Sequence, residues 1–427
     1  MRRVIAGVLS VLLLATACGS AESSPVAASG DLPTDPTAVP AEPTAEAVEE
    51  TVAAADETVE PEPEADLTAL VTAEVDEFMA ANSIPGMSVA VLLPDGESIT
   101  LARGVADIAS GEPVTVDDYF RIGSITKPVT TAVVLQLVDE GLVDLDESVS
   151  TYLPGWAPGY EFEDEVTVRQ LLNHTNGFIE YAFDPGFYVE AGSRADVPYE
   201  PEEIIAFAAD RGPQYDLGTE YQYNTTGFLA AGLLIEAVTG NAAADEIRTR
   251  LFEPFGLEEI YLTPTELPPE PTVHGYARAE LASAIVALDV VPAGVGVLDV
   301  DGEQFADLLA GPQEVLQSSG WTGGGLEAQL ADVAGLMRGI FAGGTLSDDA
   351  LAEMTAPTLD TNYGLGLAVD TVAGELVYQH GGGVPGFRSH AAYLPERDIA
   401  LAFSANLIPL ELDVGDLMER LTKVLTS

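Results

Sequence analysis

Ser124 and Lys127 stand three residues apart in the stretch Arg121-Ile122-Gly123-Ser124-Ile125-Thr126-Lys127-Pro128, and Lys127 is one of two lysines in a chain with fourteen arginines. Arginine stays charged under ordinary conditions, whereas lysine loses its proton readily when held in apolar surroundings. Pro128 is tolerated only in the first turn of a helix, so a helix must start close to Ser124. The residues from Val129 to Val138 are almost all apolar, and Gly141 ends the run. Such a helix is buried all round, with Ser124 and Lys127 on one face and the serine at the positive end of the dipole. A neutral lysine there takes the serine's proton and leaves an activated nucleophile. Ser-x-x-Lys is also the spacing of many surface helix faces; the apolar helix and the scarcity of lysine argue against a snorkelling lysine here.

Two further stretches offer chemistry. Tyr221-Gln222-Tyr223-Asn224-Thr225-Thr226-Gly227-Phe228 precedes an apolar helix expected to begin near Leu229; a tyrosine there either packs or reacts. In His380-Gly381-Gly382-Gly383-Val384-Pro385-Gly386-Phe387 the glycines let backbone approach a ligand and offer an N–H donor to an oxyanion. The alternative for this stretch is a flexible loop with a surface histidine.

Positioning these residues requires a scaffold. Leu67, Leu70, Val71, Val75, Phe78 and Met79 recur at helical spacing until Ile84-Pro85-Gly86 stops the run. Met87 to Leu93 reads as a buried strand, and Pro94-Asp95-Gly96 turns into a second from Ile99 to Val105. Residues 135–337 read as mostly helical, as in 204–208 and 229–238. Near the end, 364–369, 376–378, 390–394 and 399–404 read as antiparallel strands, and 412–425 as a closing amphipathic helix. The expected class is α+β: an antiparallel sheet flanked by N- and C-terminal helices, with a mostly helical subdomain inserted. There is no internal repeat.

The formal net charge of −54 and pI near 4.1 exclude a nucleic-acid or anionic-lipid surface as partner. Four widely spaced histidines and one cysteine make no zinc site, and no metal or cofactor is expected. Two arginines, the apolar run Val4 to Leu14 and Ala15-Thr16-Ala17-Cys18 form an export signal. It resembles a bacterial lipoprotein signal over residues 1–17, with Cys18 as the lipid-bearing first residue of the mature chain on the extracellular face of the cytoplasmic membrane. The alternative is a plain secretory signal and a secreted protein. Residues 18–66, rich in Ala, Glu, Pro and Thr, read as a disordered acidic tether, leaving residues 67–427 as the folded domain.

Six ordered blocks together resemble the serine β-lactamase and penicillin-recognising superfamily. They are RIGSITKPVTTAVVLQLVDEGLVDLDESVSTYLP, VTVRQLLNHTNGF, YQYNTTGFLAAGLLIEAVTG, TGGGLEAQLADVAGLMRGIFAGG, YGLGLAVD and HGGGVPGFRSHAAYLPE. The likeness is to the branch of class C β-lactamases, D-alanyl-D-alanine carboxypeptidases and related esterases. It implies that Ser124 is the acylated nucleophile, Lys127 its base or proton relay, and Tyr223 the tyrosine of a Tyr-x-Asn motif, with Tyr221 as the alternative. It places His380-Gly381-Gly382 where relatives carry Lys-Thr-Gly or His-Thr-Gly, and makes the backbone N–H groups of Ser124 and Gly383 the oxyanion hole. Thr225 departs from the motif asparagine and offers no amide N–H to a substrate. His174 is expected to order a turn, and Arg388 to receive a substrate carboxylate or form a structural ion pair. The resemblance implies a serine hydrolase acting on a small acyl substrate, first a D-alanyl peptide. An esterase, a weak β-lactamase and a non-catalytic wall-binding module are the alternatives.

Overall fold

The computed structural model describes residues 66–194, 197–269, 272–278, 297–300, 303–308, 313–408 and 412–427. The signal, Cys18 and the tether lie outside the described residues. Helix α1 (Leu67–Asn82) buries Val71, Val75, Phe78 and Met79 along one stripe, as the helical spacing of the sequence requires. Strands β1 (Gly86–Leu92) and β2 (Ser98–Asp107) follow as an antiparallel hairpin, and β3 (Glu112–Pro113) pairs with β2 at the edge.

The chain leaves this sheet through the short strand β4 (Phe120–Arg121) and returns to it at the other end of the sequence. Strands β10 (Ala368–Val372), β11 (Glu375–Val384), β12 (Phe387–Leu394) and β13 (Ile399–Ala405) complete a seven-stranded antiparallel sheet in the order β10-β11-β12-β13-β1-β2-β3. The two ends meet in the pairing of β1 with β13, from Met87–Ala405 to Leu92–Ala400. One face of the sheet is covered by α1 and the C-terminal helix, Val414–Thr426, in a core that includes Val75, Phe78, Leu101, Phe403, Leu417 and Leu421. The other face meets the inserted helical region in a second core, with Ile122, Val133, Ala391 and Ala402 among its members.

Three helices of the insertion matter for the site: α2 (Thr126–Asp139), α3 (Thr226–Thr239) and α4 (Gln313–Gly324). All but the last two residues of α2 are buried, so it runs through the interior. Helix α3 begins at Thr226, three residues before the expected start, because the Asn224 side chain accepts from Gly227 N at 3.0 Å and satisfies an end donor.

One expectation gains detail and one needs correction. The mostly helical insertion also carries short strands: β5 (Ile260–Leu262) and β9 (Leu326–Ala328) form a three-stranded sheet with β4, and β6 (Tyr276–Arg278), β7 (Val297–Val300), β8 (Glu303–Asp307) and β14 (Leu407–Ile408) form a four-stranded one. Residues 364–367 are not a strand, since Leu365 N donates to Met354 O and Gly366 N to Leu172 O in place of a ladder.

The small β4–β9–β5 sheet sets where the Ser124 segment starts. Arg121 on β4 pairs with Glu327 on β9 at 3.1 Å, both nearly fully buried, and Ile122 N donates to Leu326 O at 3.0 Å. Removing one partner of a buried pair strands the other charge. Arg121→Met is therefore expected to destabilise the protein by about 3–5 kcal/mol in urea unfolding; a loss below about 1 kcal/mol would show that the pair does not anchor the segment.

Candidate active site

Gly123–Ile125 form one tight 3-10 turn that runs directly into α2, so Ser124 sits on a helix entry rather than inside a regular helix. Lys127 is fully buried in the first turn of α2, and its Nζ donates to Ser124 Oγ at 3.1 Å, to Thr225 Oγ1 at 3.3 Å and to the Gly323 carbonyl at 2.7 Å. The third acceptor exists because α4 breaks at Trp321, whose backbone is held at φ 30° and ψ −125°. That conformation is unusual for a bulky residue. It is secured by Gly325 N on Trp321 O and by Thr130 Oγ1, which donates to Thr322 O at 2.6 Å.

The ammonium also faces aromatic rings, at 4.8 Å from the Tyr223 centroid and 5.3 Å from that of Phe228. Tyr221 instead lies edge-on to His174 and tilted against Tyr363. Of the two tyrosines of the motif, Tyr223 is the one the structure brings to Lys127. His174 is buried and holds this segment: its carbonyl accepts from Gln222 N and Tyr215 Oη, and its Nδ1 accepts from Asn224 N at 3.3 Å. Burial, with help from Lys127, keeps the His174 imidazole neutral well below the usual histidine range.

Thr225 is not idle in the place of asparagine. Its backbone N and its hydroxyl donate to Glu180 Oε2, at 2.6 and 2.9 Å. Glu180 is buried, and its Oε1 accepts from Ala182 N at 3.1 Å. Burial pushes its carboxyl up, while Lys127 and these donors pull it back. Sequence reasoning passed over Glu180. The signal was there: one acidic residue within Phe178-Ile179-Glu180-Tyr181-Ala182-Phe183.

The opposite wall is the second half of β11, which the loop alternative for 380–387 did not foresee. A methyl group on Gly382 would overlap the Ile122 carbonyl, and one on Gly123, at φ 57°, would lie 2.9 Å from Gly383 N. Only glycine lets the two backbones meet this closely. Gly381, Gly382 and Gly383 therefore present bare peptide groups beside Ser124. His380 Nδ1 bonds to the Gly381 carbonyl at 2.6 Å and its Nε2 to Tyr363 Oη at 3.0 Å. Burial first and Lys127 second depress His380 to about 3, so the imidazole is neutral, with its proton on Nδ1 and Nε2 accepting from the tyrosine. Ser389 Oγ donates to Ile122 O from β12, and its neighbour Arg388, nearly buried, lies in register with Gly383 and adds to the depression of the His380 imidazole.

A buried lysine bonded to a half-buried serine against a glycine-lined strand, on an antiparallel sheet with a helical insertion, is a recognisable arrangement. The family model described as Beta-lactamase matches residues 71–420. The chain belongs to the Beta-lactamase family. It is 34% identical over 193 residues to penicillin-binding protein 4 of Amycolatopsis lactamdurans, covering 45% of this chain and 48% of that protein. It is 28% identical over 310 residues to the D-aminopeptidase of Brucella anthropi, covering 71% and 52%. The D-amino acid amidase of Ochrobactrum anthropi SV3, solved with D-phenylalanine, superposes with a TM-score of 0.71 at 25% identity, covering 85% of this chain and 99% of that one. The chain spans about half the length of the curated relatives it matches. Within this family the chain has the fold shared by penicillin-binding proteins and D-amino acid amidases.

Two outcomes follow for this Beta-lactamase site. Gly382→Ala should cut Ser124-dependent turnover at least about 100-fold, because a misplacement of 1 Å costs that much, and a near-wild-type rate would mean the wall yields freely. His174, His380 and His390 are neutral when folded but charge when unfolded, so stability is complete above about pH 6.5 and falls as the pH drops toward 3. Their ring NMR shifts should stay constant from pH 8 to 5; a titration midpoint above about 5.5 would refute neutral burial.

Proposed function

We propose that this protein hydrolyses small amides and esters that carry no terminal carboxylate, D-amino-acid derivatives first, through an acyl intermediate on Ser124. The observation that carries this reading is the hydrogen-bonded Ser124–Lys127 pair facing a wall of bare backbone and a neutral His380. Lys127 takes the proton of Ser124 Oγ as the oxygen attacks the carbonyl carbon, and then protonates the leaving nitrogen or oxygen. The N–H groups of Ser124 and Gly383 receive the negative oxygen of the tetrahedral intermediate. Water, activated by the same amine, releases the acid.

The substrate class is argued from charge. A D-alanyl-D-alanine carboxypeptidase must receive a terminal carboxylate. Lys127 is already committed to three acceptors, and the Glu180 carboxylate behind Thr225 would repel a second one. An amide or ester without that carboxylate is the better match, in keeping with the names of the amidase and aminopeptidase relatives. Export, with a lipid on Cys18 and a tether through residue 66, is part of the proposal and rests on the sequence alone.

The full chain is to be given D-phenylalaninamide, p-nitrophenyl butyrate and an acetylated peptide ending in D-Ala-D-Ala, with intact-mass detection of the acyl adduct. The amide or ester should turn over at least 100-fold faster than the peptide, and Ser124→Ala should abolish both. Faster cleavage of the peptide would reinstate the carboxypeptidase, and turnover that survives Ser124→Ala would end the acyl-serine mechanism.

A further inference from the structure

Lys127 must lose a proton before it can accept the one on Ser124. Its Nζ faces three acceptors, Ser124 Oγ, Thr225 Oγ1 and the Gly323 carbonyl, at 3.1, 3.3 and 2.7 Å. An ammonium group has three protons and no lone pair, so in its charged form the amine donates to all three and can accept nothing. A carbonyl does not keep the surplus proton, and Ser124 is the source of the next one. The Thr225 hydroxyl can pass it on, because it both accepts and donates. On its far side, 2.9 Å away, lies Glu180 Oε2.

We infer that Glu180 stores the proton that Lys127 gives up, reached through the Thr225 hydroxyl; this rests on the acyl-serine reading above. Lys127 Nζ hands one proton to Thr225 Oγ1 as Thr225 hands its own to Glu180 Oε2. Ammonium and carboxylate become amine and carboxylic acid, and no net charge enters or leaves the site. The free lone pair then takes the Ser124 proton while Oγ bonds to the acyl carbon, and the new ammonium protonates the leaving group. The amine serves water in the same way during deacylation, after which the stored proton returns to Lys127.

Burial penalises both charges of the resting pair, which brings the neutral pair close to it in free energy. The relay also accounts for threonine at a position where relatives carry asparagine. An amide side chain lacks a hydroxyl that accepts at one side while donating at the other. Glu180 touches neither substrate nor Ser124, so it is a positioning residue that acts through Thr225.

The test is the burst of p-nitrophenolate from p-nitrophenyl butyrate, followed from pH 5 to 10 on the full chain. Glutamine at 180 can still accept from Thr225 but cannot hold the proton. Glu180→Gln should slow acylation at pH 7 by at least 100-fold and regain rate as the pH is raised, because Lys127 then gives its proton to solvent. Thr225→Val should show the same loss, the double variant no further loss, and Thr225→Ser a rate near wild type. Glu180→Gln within threefold of wild type across the range overturns the relay. So does faster acylation at low pH, the result if Glu180 merely held Lys127 charged, and so do losses that multiply in the double variant. If Glu180→Gln melts early, the Thr225→Val and Thr225→Ser pair decides alone: equal rates refute the relay. A wild type that gives no burst and no fluorophosphonate label on Ser124 would sink the proposed function itself, whereas a normal wild type with an indifferent Glu180→Gln sinks only this inference.

Discussion

A primary amine with no exposure to solvent is the constraint from which the rest of the site follows. Lys127 is fully buried, and an ammonium group taken out of water without partners is among the costliest things a fold can hold. Its partners come from distant parts of the chain: Ser124 from its own turn, Thr225 from the entry of α3, and Gly323 from the broken end of α4. The Tyr223 and Phe228 rings line the remaining side. Each supporting segment is in turn held by something specific. His174 holds 222–224, Thr130 and Phe228 hold Thr322, and the buried Arg121–Glu327 pair holds the start of the nucleophile turn. A strained tryptophan backbone at 321 persists because these neighbours leave it no alternative.

The sheet contributes something different. Near its end, strand β11 runs through Gly381 to Gly383, which carry no side chains, so bare backbone lines the wall beside the Ser124 turn. Substrate charge is then decided by what stands around that wall. His380 is neutral because burial, Lys127 and, less strongly, Arg388 disfavour its charged form. These charges, and not the sheet, set the site's preference. The same fold could host another preference with few changes, which is why the substrate must be argued from side chains and not from the fold.

Much of this was legible in the chain itself, and the parts that were not share a cause. The rarity of lysine and the position of Pro128 located the nucleophile turn, and helical spacing from Leu67 to Met79 placed the first helix. Local rules carry that far because the first turn of a helix and one apolar stripe are local objects. The strands of the insertion were missed because β4, β5 and β9 are two or three residues long and exist only through pairing across more than sixty residues. The start of α3 was misjudged for want of one side-chain cap. Glu180 was overlooked because an isolated acidic residue among aromatics has no periodicity to announce it.

By itself, the sequence determined which residues are candidates for chemistry and much of the order in which the elements run, since spacing, proline and glycine act on the backbone near them. The tertiary structure alone decided which groups meet. Lys127 finds Thr225 and Gly323 across 98 and 196 residues of chain, and Thr225 finds Glu180 across 45. Whether a histidine is charged likewise depends on burial and pairing that arise only when the core closes. Such contacts are set by the summed packing of the whole domain, and no short window of sequence contains that sum.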